Sequence, residues 1–116
     1  MSSSKLHTSP LIRSLYATDA SAYQETPEAV AFPETTEDIR ELILHAREHN
    51  TSLIPRTAGT SLAGQVVGSG IVVDVSKHFT KILEINAVEG WARVQPGVIR
   101  NELNAALAPH GKLFGP

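Results

Sequence analysis

Residues 35–75 decide the fold; they read TTEDIRELILHAREHNTSLIPRTAGTSLAGQVVGSGIVVDV. At their start, Thr35 and Asp38 have the spacing of a capping box. Four apolar residues then recur at intervals of three and four, as on one face of an amphipathic helix: Ile39, Leu42, Ile43 and Ala46. The pattern predicts a helix over Thr36 to His49 that ends at Asn50, a residue type that tolerates the left-handed conformation.

The second half of the same stretch predicts two strands joined by a loop. Ser52 to Pro55 is short and apolar, and Ile71 to Val75 is a β-branched run typical of a buried strand. The loop between them, Arg56 to Gly70, is rich in glycine, serine, threonine and alanine. The order helix, strand, loop, strand indicates layers of helix packed on sheet.

Weaker signals precede this stretch. Residues 1–10 are Ser-rich and predict a frayed tail. Leu11 to Tyr23 predicts a short helical turn followed by a loop. Glu28 to Phe32 predicts a short strand that Pro33 closes, because proline cannot donate a hydrogen bond to a neighbouring strand.

The carboxyl-terminal part predicts a hairpin and a second helix. Thr80 to Asn86 and Trp91 to Gln95 are the hairpin strands, and the turn between them ends at Gly90. Ile99 to Leu107 has helical periodicity and is followed by Pro109, which stops the helix. We therefore expect an α+β fold, a mixed sheet with two main helices on one of its faces.

Composition excludes several classes of protein. The 116 residues include ten Lys and Arg, twelve Asp and Glu, and no cysteine, and the formal net charge is −2. This balance argues against a nucleic-acid binder with a basic face. The lack of cysteine excludes disulfides, cysteine zinc sites and a thiol nucleophile, and fits a reducing compartment, so we expect a cytoplasmic protein. No apolar run approaches the roughly 20 residues that span a bilayer.

Residues 55–65 read PRTAGTSLAGQ and have the composition of an anion site. Two glycines that permit positive φ enclose two hydroxyl side chains, and an arginine precedes them: Gly59, Gly64, Thr60, Ser61 and Arg56. Successive backbone N–H groups that turn inward in such a loop form a nest for anions. The composition therefore suits a phosphate or a pyrophosphate.

Two common phosphate-binding motifs do not fit. Gly59 and Gly64 have the spacing of a Walker A loop, but Gln65 and Val66 stand where lysine and a hydroxyl residue belong. Residues 68–70, Gly-Ser-Gly, resemble the start of a Rossmann fingerprint but lead into a strand, whereas that motif opens a helix. A nest without a helix dipole remains, and so does the interpretation as a plain connecting loop.

The order of several motifs resembles a known family. PR-x-x-GTS-x-x-GQ, V-x-PGV and LFGP occur in that order within residues 55–116. Together they are similar to the FAD-linked oxidases of the vanillyl-alcohol-oxidase or p-cresol-methylhydroxylase (PCMH) type, in the branch that contains the glycolate oxidase D subunit and D-lactate dehydrogenases. The resemblance covers residues 16–116 and implies the first half of an FAD-binding domain, preceded by a flexible tail over residues 1–15.

The resemblance implies FAD as the cofactor and assigns contacts to it residue by residue. The loop that holds the pyrophosphate would consist of Arg56, Thr57, Ala58, Gly59, Thr60 and Ser61, completed by Gly64 and Gln65. Three residues would lie beside the cofactor: Pro96, Gly97 and Val98. Two more would begin a second FAD-contacting loop: Gly115 and Pro116.

The implied reaction is hydride transfer from a 2-hydroxy acid, of the glycolate or D-lactate kind, to the flavin. The groups that bind this substrate are expected in a part of the enzyme beyond these residues.

No catalytic residue and no metal ligand is predicted here, and His45 and His49 are interpreted as a solvated helix face. The missing half of the domain would leave apolar sheet or helix surface uncovered, and such a surface would favour self-association. The alternative is a standalone nucleotide-binding or structural module without catalysis.

Overall fold

The computed structural model describes residues 6–17, 26–57 and 69–114. The strands in these ranges are β1 (Leu6–His7), β2 (Ala29–Ala31), β3 (Leu53–Arg56), β4 (Ile71–Asp74), β5 (Ile82–Asn86) and β6 (Trp91–Val94). The helices there are α1 (Pro10–Leu15), α2 (Thr36–Glu48) and α3 (Arg100–Leu107), and a 3₁₀ turn (Ala108–His110) follows α3. The predicted combination of a mixed sheet with two main helices is confirmed.

One sheet contains four strands in the order β1–β2–β4–β3. β1 is antiparallel to β2, whereas β2 and β3 both run parallel to β4. The last register pair of β3 and β4 is Arg56 with Asp74. These two residues therefore end neighbouring strands at the same edge of the sheet, which is the usual place for a ligand in a parallel sheet.

Helix α2 begins at the predicted capping box. The Thr35 hydroxyl accepts a hydrogen bond from the Asp38 N–H at 3.1 Å, and the Asp38 carboxylate accepts one from the Thr35 N–H at 3.3 Å. Asn50, just beyond the helix, has a positive φ of 51°, as predicted. The helix buries Leu42 against Ile71 and other apolar residues of the sheet, so its apolar face forms one side of the core.

The structure departs from the sequence-based expectations in three places. Arg56, predicted to open the loop, is instead the last residue of β3, because its backbone pairs with β4 at Asp74. Within the predicted frayed tail, Leu6–His7 pairs with β2 and Pro10 begins α1, whose first turn is capped by the Ser9 hydroxyl. The hairpin of β5 and β6 forms a sheet of its own and does not extend the four-stranded sheet. A two-residue strand carries no periodicity that a sequence pattern can reveal.

The hairpin and α3 enclose an apolar groove of about 420 Å³. Leu103 and Leu107 of α3 line it from one side, and Trp91 and Val94 of β6 line it from another. Phe114, which also lines the groove, is more than half exposed. This part of the structure therefore presents an apolar surface that no described element covers.

Candidate functional site

The carboxyl edge of β3 and β4 brings together a charged pair of residues. Arg56 ends β3, and Asp74 ends β4 beside it. The Val75 N–H donates to the Arg56 carbonyl at 2.9 Å, which continues the pairing by one residue. Thr57, the second residue of the predicted phosphate loop, is exposed and follows β3 directly at this edge.

The Asp74 carboxylate is buried, with 4% of the residue exposed, and its two oxygens have three hydrogen-bond donors. One oxygen accepts from the Ser76 N–H at 2.8 Å and from the Ser76 hydroxyl at 2.6 Å. The other oxygen accepts from the Tyr16 hydroxyl, also at 2.6 Å. A buried carboxylate needs such partners, because desolvation without them is costly. Asp74 therefore caps the turn after β4 and holds the amino-terminal segment against the sheet.

Tyr16 touches both residues of the edge. Its hydroxyl donates to Asp74, and the Arg56 guanidinium lies over its ring at 5.1 Å from the ring centre. The Tyr16 carbonyl also accepts a hydrogen bond from Arg56 Nη1 at 3.4 Å. Burial is the main factor that raises the pKa of the Tyr16 phenol above its ordinary value of 10.0, and the hydrogen bond to Asp74 adds to the rise.

This shift in the Tyr16 pKa predicts a loss of stability in alkaline solution. A phenol that holds its proton more tightly in the folded state stabilises the fold below pH 10, and this contribution is lost as pH rises above that value. We expect the urea midpoint to fall between about pH 9 and about pH 11, and to fall less in Tyr16→Phe, which has no phenol to ionise. An equal fall in both proteins would contradict the assignment.

The Arg56 guanidinium is suited to an anionic ligand such as the diphosphate of FAD. Among the described residues it has no carboxylate partner within ion-pair range; the ion pairs in those ranges involve Arg40, His78 and Arg93. Arginine carries five N–H donors, and the described contacts of Arg56 use one of them, toward the Tyr16 carbonyl. The residue therefore offers a positive charge, and donors that no described residue occupies, at the start of the predicted loop.

The turn between β6 and α3 reaches the same edge. Gly97 is buried, and its N–H donates to the Phe79 carbonyl at 2.7 Å. A Cβ on Gly97 would lie 2.7 Å from the carbonyl oxygen of Val75, the residue that follows Asp74. Glycine is thus required here by close approach to the backbone. Pro96 is exposed and Val98 is half-buried and lines the apolar groove.

The structure thus brings Arg56, Thr57 and residues 96–98 to one edge of the sheet, with Val75 between them. The other predicted cofactor residues lie outside the described ranges: Ala58, Gly59, Thr60, Ser61, Gly64, Gln65, Gly115 and Pro116. The contacts of all the predicted residues with FAD, including those of Arg56, Thr57 and residues 96–98, stay predictions. In the described ranges no group of three or more histidine, aspartate or glutamate side chains could hold a metal ion.

Sequence reasoning missed the roles of Tyr16 and Asp74 at this site. Asp74 gave a signal, since it is a carboxylate directly after a buried apolar run, and in the structure it caps the turn after β4. Tyr16 lies 58 positions from its hydrogen-bond partner, and no local pattern connects residues so far apart.

None of the helices in the described part of the chain is long and apolar enough to cross a bilayer.

Curated proteins of similar sequence include dehydrogenases and glycolate oxidase subunits. The chain is 46% identical over 107 residues to the D-2-hydroxyglutarate dehydrogenase of Pseudomonas putida, a match that covers 90% of this chain and 11% of that protein. It is 36% identical over 106 residues to the glycolate oxidase subunit GlcD of Bacillus subtilis, covering 90% of this chain and 23% of that protein. The chain thus spans about a tenth of the length of the first relative.

Solved structures share the fold. Alkyldihydroxyacetonephosphate synthase matches with a TM-score of 0.76 at 20% identity, over 93% of this chain and 23% of that one. p-Cresol methylhydroxylase matches with a TM-score of 0.71 at 16% identity, over 93% of this chain and 22% of that one. The predicted PCMH-type architecture is therefore confirmed.

The family itself follows from a direct match. The profile of the FAD binding domain family matches residues 27–116, which is most of the chain and includes β2 through α3. FAD as the expected cofactor is thereby confirmed. The chain belongs to the FAD binding domain family and is related to the dehydrogenases and oxidases of 2-hydroxy acids.

Proposed function

We propose that this chain is the amino-terminal segment of the FAD domain in a longer flavin-dependent oxidoreductase that oxidises a 2-hydroxy acid. The observation that carries the proposal is the carboxyl edge of β3 and β4. There, Arg56 has no carboxylate partner in the described residues, and the remainder of the predicted phosphate loop follows from Thr57. A positive charge whose other donors are not occupied by any described residue suits a dinucleotide at such an edge.

In this proposal each part of the edge has a distinct task. The Arg56 guanidinium donates hydrogen bonds to phosphoryl oxygens, and N–H groups of the loop that follows complete the anion site. Residues 96–98 lie beside the cofactor, because Gly97 is fixed against the backbone after β4. Bound FAD would supply the two-electron acceptor for the hydride on the substrate's carbinol carbon, and the hydroxyl proton would pass to a general base of the full-length enzyme.

The names of the relatives support the proposed substrate class. D-2-hydroxyglutarate, D-lactate and glycolate are all 2-hydroxy acids, so we propose this class and a cytoplasmic location, which the absence of cysteine supports. The test is anaerobic mixing of the purified full-length flavoprotein with each acid. Loss of the visible absorbance of oxidised flavin with at least one acid is the expected result. Unchanged absorbance with all three would contradict the proposed reaction.

The 116-residue chain by itself is expected to bind FAD weakly or not at all and to have no oxidase activity. Affinity is the surplus left after association and ordering costs, and we propose that a second part of the domain supplies the remaining contacts. The exposed side chains of Ile99, Leu113 and Phe114 support self-association of the isolated chain. Calorimetric titration with FAD is the measurement. Micromolar or tighter binding at one-to-one stoichiometry would favour a standalone nucleotide-binding module.

A further inference from the structure

We propose that Tyr16 is a positioning residue that orients the Arg56 guanidinium toward the diphosphate of the cofactor. The inference rests on the proposed function, since it assigns a partner to the phosphate-binding arginine. It concerns a residue of the amino-terminal segment, before the part of the chain that matches the FAD binding domain profile, residues 27–116.

Tyr16 holds the Arg56 guanidinium through its ring and its backbone carbonyl. The guanidinium carbon lies 5.1 Å from the ring centre of Tyr16, and Nη1 donates to the Tyr16 carbonyl at 3.4 Å. A ring face and a carbonyl restrict a guanidinium group without neutralising its charge. A carboxylate in the same place would neutralise the charge and compete with a phosphate. The contacts therefore orient Arg56 and leave it able to bind an anion.

Tyr16 is in turn held in place by Asp74 and Phe32. Its hydroxyl donates to the buried Asp74 carboxylate at 2.6 Å, and its ring meets Phe32 edge-on at 5.8 Å between centres. Helix α1, which Tyr16 ends, is tied to the sheet by Arg13 Nε, which donates to the Pro27 carbonyl at 2.8 Å. Two contacts therefore fix the ring on which Arg56 rests, and a third fixes the helix that ends at this residue.

Tyr16, Arg56 and Asp74 meet at the carboxyl ends of β3 and β4. Arg56 and Asp74 are the last residues of two paired parallel strands, and the segment between these strands contains the predicted phosphate loop. Tyr16 contacts both ends of the pair with one side chain and one carbonyl. It is thus placed to set the direction of Arg56 relative to the edge where the loop begins.

A double-mutant cycle in the full-length flavoprotein tests the inference. The variants are Arg56→Gln, Tyr16→Leu, Tyr16→Phe and the combination of Arg56→Gln with Tyr16→Leu. Flavin is removed, and the Kd for FAD is measured from the quenching of flavin fluorescence at low and high salt. The urea midpoint of each variant is measured in parallel, so that a loss of folding is recognised.

We expect Arg56→Gln to weaken FAD binding by about ten- to a hundredfold and Tyr16→Leu by about three- to tenfold. The double variant should be no weaker than Arg56→Gln alone, because Tyr16 acts through the arginine. Both single variants should also reduce the salt dependence of the Kd, which a purely structural role would leave unchanged. Tyr16→Phe keeps the ring and the carbonyl and should retain most of the affinity.

The chain offers a matched control at the hairpin. Arg93 lies over the ring of Trp91 at 5.8 Å, the same kind of pair on β6, and the cycle of Arg93→Gln with Trp91→Leu should leave the salt dependence of the Kd unchanged. Additive losses from Arg56→Gln and Tyr16→Leu would overturn the inference for Tyr16. An unchanged Kd in Arg56→Gln would overturn the role of Arg56 and the inference with it. Failure of the proposed reaction would be recognised separately, because none of the 2-hydroxy acids would then reduce the bound flavin.

Discussion

Replacing Gly97 by alanine is expected to destabilise the protein by about 3 kcal/mol, the upper end of the range for overpacking. The added Cβ would lie 2.6 Å from the Phe79 carbonyl oxygen, 2.7 Å from that of Val75 and 3.0 Å from the Ser76 Cα. All three are backbone atoms, which cannot move aside as a flexible side chain can. The urea midpoint of the purified variant measures the loss.

Gly111→Ala is the matched control for this prediction. Gly111 has a φ of +66°, but no atom lies within 4 Å of the position that its Cβ would take. Its substitution therefore adds backbone strain alone, at about 1–2 kcal/mol. If the two variants lost equal stability, close packing at Gly97 would not be the reason that glycine is required there.

The second large effect is expected at Gly59, in the predicted phosphate loop. Gly59→Val should lower the flavin content of the full-length protein by at least about tenfold, because a β-branched side chain would intrude where the backbone approaches the pyrophosphate. The ratio of flavin absorbance to protein absorbance in the purified variant is the measurement.

Gly90→Val is the control for the loop, since it makes the same change at a hairpin turn with φ of +80° and no atom within 4 Å of the added Cβ. It should leave the flavin ratio unchanged while it costs some stability. A normal flavin ratio in Gly59→Val would refute the role given to the loop.

The parts of the fold that could be predicted are those set by residues near one another in the chain. Thr35 and Asp38 are three positions apart, and both hydrogen bonds of their capping box are present. The hairpin turn closes at Gly90, whose N–H donates to the Asn86 carbonyl at 2.9 Å. Periodicity and turn chemistry are local properties, and sequence patterns record them well.

The parts that could not be predicted depend on distant contacts. Tyr16 and Asp74 meet only because α1 packs beside β2 and β4 lies next to β2 in the sheet. The requirement for glycine at position 97 comes likewise from the backbone of residues 75–79. The motif V-x-PGV drew attention to Gly97 through the family resemblance, but the physical reason for this glycine became visible only in the structure.

The position of β2 in the sheet also has a consequence for synthesis on the ribosome. Ala29 pairs with Ile71, about 40 positions later, so one edge of β2 has no partner until β4 has been made. At a rate of synthesis of about 5–20 residues per second, this edge of β2 stays unpaired for roughly 2–8 s. Helix α2, which is translated in this interval and is well capped, can shield one face of β2 while its hydrogen-bonding edge stays open to other chains.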